Sequence, residues 1–286
     1  MKEYLIEGGK VCQKIKKELP KKVFSGASIL ETANWVEGEI KKAGFLPAFP
    51  TNISINEIAA HFSPGPNDDK VFESGQLIKI DFGTHKEGWA TDNSITIDLG
   101  EHSELLAASS EALSEATKVI QENGSKSTLS QIGKAIETAI KNRGFLPIVN
   151  LTGHKIDQWN LHAGLSIPNF DSGSNKQLGD GIFAVEPFAT TGVGRIKNGP
   201  NSEIFRLMRQ SSQRLPALRT LVNELKKFST LPFSSRWVNK HEYLKMLVRD
   251  KTLHNYPLLV EESKGMVSQA EDTFLIESDE VTVLTS

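Results

Sequence analysis

The sequence predicts an α/β chain built from two related halves that face each other across one site. Three observations carry this expectation. Residues 36–47 read VEGEIKKAGFLP, and residues 136–147 read IETAIKNRGFLP, the same pattern at a spacing of 100. The likeness continues in order, with Asn52-Ile-Ser leading to His61 and Asn150-Leu-Thr leading to His162. Last, Gly75-Gln-Leu-Ile-Lys-Ile-Asp81 parallels Asp180-Gly-Ile-Phe-Ala-Val-Glu186, each an apolar strand that delivers a carboxylate at its end. Recurrence of order, spacing and chemistry together argues for a duplicated unit. The inner sheet faces of two such halves would build one site at their pseudo-twofold interface.

The elements follow in chain order. Leu5, Cys12, Ile15 and Leu19 mark the apolar stripe of an opening helix, which Leu19-Pro20 ends. In each copy of the repeat an amphipathic helix stops at a glycine, Gly44 or Gly144, suited to the left-handed C-terminal position. An extended segment follows, because proline pushes its predecessor toward β. Residues 77–99, LIKIDFGTHKEGWATDNSITIDL, read as a hairpin with Asp81 on one strand, Asp92 on the other, and Gly83 and Gly88 between. From 195 to 256 the composition shifts to thirteen Lys or Arg against four acidic residues, a net +9 that leaves −11 for the rest of a chain of net −2. Leu215, Leu218, Leu221, Val222 and Leu225, then Tyr243, Leu244, Leu247 and Val248, sit at helical spacing, so a helical insertion is expected there. Thr273 to Leu284 returns to strand, turning at Ser278-Asp279.

Composition excludes several classes. At 286 residues, 38% hydrophobic and 24% charged, the chain is expected to be globular with a substantial core. A net charge near zero argues against DNA as a partner. The single cysteine, Cys12, excludes an internal disulfide and a cysteine-built metal site, and suits the cytoplasm. It lies on a helix face with no histidine partner, so a catalytic thiol is not expected. No apolar run reaches the roughly 18 residues of a membrane span. Met1-Lys2-Glu3-Tyr4-Leu5 carries mixed charge, so no secretory signal is expected.

The candidate chemistry is acidic. A hairpin brings Asp81 and Asp92 side by side, and close carboxylates repel unless a cation lies between them. His154 follows a strand in Gly153-His154, Glu186 ends one, and Glu271 closes Val267-Ser-Gln-Ala-Glu271 before another. Two Asp, one His and two Glu can hold two divalent cations about 3.5–4 Å apart with a shared water. Oxygen and imidazole donors suit Mn, Fe, Co or Zn. Thr190-Thr-Gly-Val-Gly194 lacks the lysine of a phosphate loop. His85, His102, His241 and His254 have no motif partner and are read as surface residues. Trp35, Trp89, Trp159 and Trp237 are read as packing.

The string IDFGTHKEGWATDNSIT resembles the metal-binding hairpin of the methionine aminopeptidases, and NLTGHKIDQWNLHAG resembles that family's N-L-x-G-H … H-x-G segment. Phe49-Pro-Thr, Ala59-Ala60-His61 and Ser268-Gln-Ala-Glu271 match as well. The long insertion before the last acid resembles the type II subclass in its short archaeal form. The resemblance implies the pita-bread fold, an α/β (α+β) arrangement of two pseudo-twofold halves whose antiparallel sheets are covered by helices. Residues 1–286 would form one catalytic domain, with 195–256 as a helical insertion subdomain. It implies Asp81, Asp92, His154, Glu186 and Glu271 as ligands of two divalent metals, with Asp92 and Glu271 bridging and Glu186 accepting a proton from the shared water. It implies that His61 and His162 contact the substrate, that Phe49, Leu161 and Tyr256 line a methionine pocket, and that His61 is alkylated by epoxides of the fumagillin type. The implied reaction removes N-terminal methionine from peptides and nascent proteins when the second residue is small. One departure stands out: type II enzymes usually carry Glu-His-Thr at the last ligand, where this chain has Glu271-Asp272-Thr273.

Two rivals remain. Prolidase and aminopeptidase P share the fold but use two His-containing motifs and no such insertion. A pseudo-enzyme that binds protein or RNA would have lost metal ligands, and here all five positions are intact. The basic stretch admits either a solvated helical wing or a face that docks on ribosomal RNA. It lacks the interleaved aromatics of single-strand base recognition.

Overall fold

The computed structural model describes residues 1–209 and 213–286. The expected duplication is visible in the helices. Ile29–Lys42 starts at Ser28, whose hydroxyl accepts from the Glu31 amide at 3.2 Å. Its counterpart Leu129–Asn142 starts with a reciprocal box, in which Thr128 Oγ1 accepts from the Gln131 amide and Gln131 Oε1 accepts from the Thr128 amide. Such caps satisfy the orphan amides of a first turn. Both helices run into a glycine at positive φ, Gly44 at 81° and Gly144 at 80°, and then into the short strands Leu46–Pro47 and Leu146–Pro147.

Each half has an antiparallel sheet. The first has the order Asn52–Ile55, Leu77–Phe82, Asn93–Asp98. The second has the matching order Thr152–Ile156, Gly181–Val185, Asp272–Glu277, extended by Ser166–Pro168 and Glu280–Val283 at its edges. The turn at Ser278-Asp279 has φ of 52° and 67°, the double positive φ that joins a two-residue hairpin. Helices cover one face of each sheet. Cys12, Ile15, Val36 and Ile40 from Lys2–Glu18 and Ile29–Lys42 pack on Ile53, Ile78, Ile80 and Phe82. Ala108, Ala112, Ile132 and Ile136 from Ser103–Asn123 and Leu129–Asn142 pack on Phe183, Val185, Phe274 and Ile276. The two sheets meet at an isolated bridge between Ser94 and Glu271. Among the described residues no helix is long and apolar enough to cross a membrane.

The basic stretch is only partly helical. Its expected helices exist as Pro216–Leu225 and Leu244–Arg249, and they share a small core with Phe233 and Leu253. They sit on a ribbon of two long antiparallel strands, Ile196–Leu207 and Leu253–Glu261. Gly199-Pro200 and Pro257 oppose a helix in those ends, and register shifts at Asn201 bend the ribbon. Residues 210–212 of the stretch lie outside the described residues. The second ribbon strand pairs Leu259 with Ala60, which ties the stretch to the first half.

A buried ion pair makes the same tie. Arg236 donates to both Glu37 oxygens, at 2.8 and 3.0 Å, and also to the Pro64 carbonyl, Asn34 and Ser63. Glu37 accepts further bonds from Trp237 Nε1 and the Thr51 amide. Removing one member of a fully satisfied buried pair strands the other charge, at a cost of about 3–5 kcal/mol. Arg236→Met is therefore expected to lower the unfolding free energy in urea by about that much. The double variant Glu37→Gln/Arg236→Met should lose less than the two single variants summed, and additive losses would contradict the pairing.

Candidate metal centre and active-site cavity

The site forms where the two halves meet. Asp81 lies opposite Ser94 in the first sheet. The chain then reverses at Glu87-Gly88, where φ is 54° and 81°, and returns through Asp92. The crossing at Gly83 is so close that a Cβ there would lie 2.0 Å from the Thr91 carbonyl oxygen, so only glycine fits. Two threonine clamps then lock the halves in a pseudo-symmetric way. The Asp92 amide donates to Thr273 Oγ1 at 2.7 Å, and that hydroxyl donates back to the Asp92 carbonyl. The Gln269 amide donates to Thr96 Oγ1 at 3.0 Å, and that hydroxyl donates to the Gln269 carbonyl at 2.6 Å. Glu271 sits between the clamps on the bridge to Ser94. His154 pairs with Ala184 on the strand that ends one residue before Glu186.

These paths converge in a small volume. Ligand atoms of Asp92, His154 and Glu271 all lie within 4.8 Å of one another. His154 Nε2 is 3.5 Å from Asp92 Oδ2 and 3.9 Å from Glu186 Oε1. Gln269 Nε2 donates to Glu186 and Glu271, at 3.4 Å each. Asp92, His154 and Glu271 are buried. Asp81 Oδ1 is buried with no hydrogen-bond partner among the described residues.

The electrostatics follow from that crowding. Burial pushes the Asp81 carboxyl up to about 7, although hydrogen bonds from Gln269 and Asp92 pull it back. Burial, reinforced by Asp81, holds Asp92 well above the usual carboxylate range. Burial and then the charges of Asp92 and Asp81 do the same to Glu186 and Glu271. Burial, with His162 adding to it, lowers His154 to about 3, so its imidazole is neutral. Among the described residues no lysine or arginine side chain pairs with any of the four carboxylates. Lys16 is nearby, but its ammonium is bound to Asp272 at 2.8 Å and to the Glu271 carbonyl at 3.1 Å. Four crowded carboxylates, a neutral imidazole whose Nε2 faces two of them, and the orphaned Asp81 Oδ1 fit a divalent cation.

All ten candidate side chains line one cavity of about 240 Å³: Asp81, Asp92, His154, Glu186, Glu271, His61, His162, Phe49, Leu161 and Tyr256. His61 takes a left-handed backbone with φ of 70°, a strained state that costs about 1–3 kcal/mol. It is held by the Pro257 carbonyl, 3.0 Å from its Nδ1, and by Tyr256, edge-on at 5.3 Å. Both partners come from the ribbon strand Leu253–Glu261, so that strand completes the cavity wall. His162 lies against His154 with ring centroids 4.3 Å apart.

Several outcomes differ from the sequence reading. His85 is buried rather than on the surface, because Trp159 packs edge-on against it at 5.5 Å. His102 is half-buried and binds Asp98 at 3.0 Å. Asp272, the departure beside the last acid, bonds Lys16 and Thr285 and adds no ligand to the cluster. Cys12 stays out of the chemistry, since burial pushes its thiol up to about 11. Sequence reasoning missed Gln269, which stood inside the quoted Ser268-Gln-Ala-Glu271 string. It also missed the Pro257 carbonyl, for which no side-chain signal exists.

Residues 3–213 match the description Metallopeptidase family M24. The chain is 42% identical over 289 residues to a methionine aminopeptidase of Archaeoglobus fulgidus, covering 100% of this chain and 98% of that one. A solved methionine aminopeptidase of Thermotoga maritima superposes with a TM-score of 0.72 at 21% identity, over 99% of this chain and 96% of that one. A thermophilic Arx1 superposes with a TM-score of 0.80 at 18% identity, over 99% and 90%. At those two identities the likeness is one of fold alone. The extent of the family match, together with the full-length relative, shows that the chain belongs to metallopeptidase family M24.

Proposed function

We propose that this cavity removes the N-terminal methionine from peptides and nascent proteins whose second residue is small, with two divalent cations as cofactors. The observation that carries the reading is a single cavity that joins a cation-deficient carboxylate cluster to a wall of Phe49, Leu161 and Tyr256. Its volume of about 240 Å³ lies under the roughly 300–1,000 Å³ of pockets for drug-sized ligands, which suits one side chain and the start of a backbone. A thioether packs well against aromatic rings, and Phe49 and Tyr256 supply them. Residues 1–286 act in this reading as one catalytic domain with 195–256 as its wing, and a buried, unpaired Cys12 suits the cytoplasm.

Asp81, Asp92, His154, Glu186 and Glu271 are the residues that would hold the two divalent ions, with Asp92, His154 and Glu271 the closest-set of them. Co, Mn, Fe or Zn suits this donor set. When bound, such ions lower the pKa of a water and polarise a carbonyl oxygen. Glu186 serves as proton acceptor, because burial and its acidic neighbours raise its proton affinity. Gln269 orients one of its oxygens while the other faces His154. Burial lowers His61 to about 4, so its ring is neutral near pH 7. A carbonyl only accepts, so Nδ1 carries the proton that binds Pro257, and Nε2 keeps a lone pair. His61 thus meets the scissile amide as an acceptor of its N–H, and the same lone pair is the nucleophile an epoxide needs. His162 hydrogen-bonds the peptide beside it.

Chelator-treated protein is expected to release no methionine from Met-Ala-Ser, to regain release with divalent metal, and to leave Met-Lys-Ser intact. Release that persists without metal would contradict the reading. His61→Ala should lower kcat by roughly 10²–10⁴-fold while metal content stays unchanged. Full turnover, or loss of metal, would remove His61 from that role.

The wing also has a partner in this proposal. Arg214, Arg219, Lys226 and Lys227 are exposed, whereas Arg236 is spent internally on Glu37. These exposed cations dock on ribosomal RNA beside emerging N-termini. Phosphate contacts release counterions, so co-sedimentation with ribosomes should be present at low salt and fall steeply as salt rises. Charge reversal at the four positions should abolish it. Equal sedimentation of the reversed variant would leave the stretch as a solvated wing.

A further inference from the structure

A second hollow opens directly off the catalytic cavity. It has a volume of about 390 Å³, and Leu161, His162, Pro232 and Tyr256 belong to the walls of both. Its floor includes Trp159, held at φ 60° with its amide donating to Gly88 at 2.9 Å. Its far wall includes Arg206, from the ribbon strand Ile196–Leu207.

The two compartments differ in sign. The catalytic cavity is lined by four carboxylates, while the outer hollow has no acidic side chain on its described walls. Arg206 is the one Lys or Arg among the described residues that line it. Arg206 is half-buried as a residue, and it takes part in no ion pair among the described residues. Its Nη2 makes a long contact with Met208 Sδ, at 3.5 Å. Its charge also reaches the shared wall, where it opposes the burial that raises Tyr256. A guanidinium with five donors and no carboxylate among the described residues suits planar recognition of an incoming one.

The outer hollow is the continuation that a peptide needs once its amino end is in the carboxylate cavity. We propose that this hollow holds the residues after the scissile bond, and that Arg206 selects substrates bearing a carboxylate there. This rests on the aminopeptidase reading and adds a specificity to it. The carboxylate has two possible sources, an Asp or Glu side chain of a longer chain and the free C-terminus of a short peptide. A peptide with an amino terminus at one end and a carboxylate downstream is then oriented by walls of opposite sign.

Four metal-loaded assays separate these cases: Met-Ala-Ser-amide, Met-Ala-Ser with a free C-terminus, Met-Ala-Asp-amide and Met-Ala-Lys-amide. The expected result is a KM about tenfold lower for one or both carboxylate-bearing peptides than for Met-Ala-Ser-amide, with kcat unchanged, as uniform binding requires. Preference for the free C-terminus alone identifies the terminal carboxylate, and preference for the Asp peptide identifies the side chain. Met-Ala-Lys-amide should bind more weakly than Met-Ala-Ser-amide. In Arg206→Gln the ratio of KM values between carboxylate-bearing and neutral peptides should fall to about one, and Arg206→Lys should keep part of it because charge remains while the fork is lost. A wild type with equal KM for all four peptides, or a preference that survives in Arg206→Gln, would overturn the inference. Failure of wild type to release methionine from Met-Ala-Ser-amide would instead strike the aminopeptidase reading itself.

Discussion

Asp81, Asp92, Glu186 and Glu271 converge on one cavity wall, and burial and mutual repulsion keep them from all ionising there without a cation. This repulsion is the constraint on which the rest of the structure depends. A fold that only needed stability would not bury four acids beside a neutral imidazole, because each unpaired charge costs several kcal/mol. The clamps, the bridge at Glu271 and the Gln269 amide hold the acids together against that cost. The neighbouring cation, Lys16, is committed to Asp272 and to a carbonyl, so it steadies the frame without neutralising the cluster.

The frame is symmetric and the chemistry is not. Thr96 clamps Gln269 and Thr273 clamps Asp92 by the same pair of bonds, so the two halves meet as equivalents. The clamped residues differ: one is an amide that orients carboxylates, the other is itself a carboxylate. The same divergence appears at the repeated glutamates. Glu137 binds Lys141 and the Asp171 amide at the surface, whereas Glu37 is buried and grips Arg236. That second use ties the basic stretch to the first half as well as to the second, where Asn150 bonds Ile196. The attachment brings Pro257 and Tyr256 against His61 and gives the cavity its apolar, strained wall.

Much of this was legible in the sequence, for identifiable reasons. The repeat at residues 36–47 and 136–147 predicted paired helices ending at glycine, and both glycines have positive φ. The acids were legible because each ends or precedes an apolar strand, where an unpartnered charge is costly. Interactions between distant segments were not legible. Thr273 meets Asp92 across 181 positions, and the carbonyl that holds His61 belongs to a proline 196 positions away. Leucine spacing marked helices at 216–225 and 244–249, but the ribbon beneath them has an interrupted pattern, with bulges and prolines that mask strand alternation. His85 read as surface because its burial depends on Trp159, which arrives from the other half.

The most direct test of the central claim is calorimetric titration of chelator-treated protein with Mn(II) or Co(II) near pH 7, in two buffers of different ionisation enthalpy. Ligand carboxylates that are partly protonated without metal must lose protons on binding. The account predicts saturable uptake of the metal with proton release into the buffer, and loss of both in Asp92→Asn. Absence of uptake by the wild type, or equal uptake and proton release by Asp92→Asn, would contradict it.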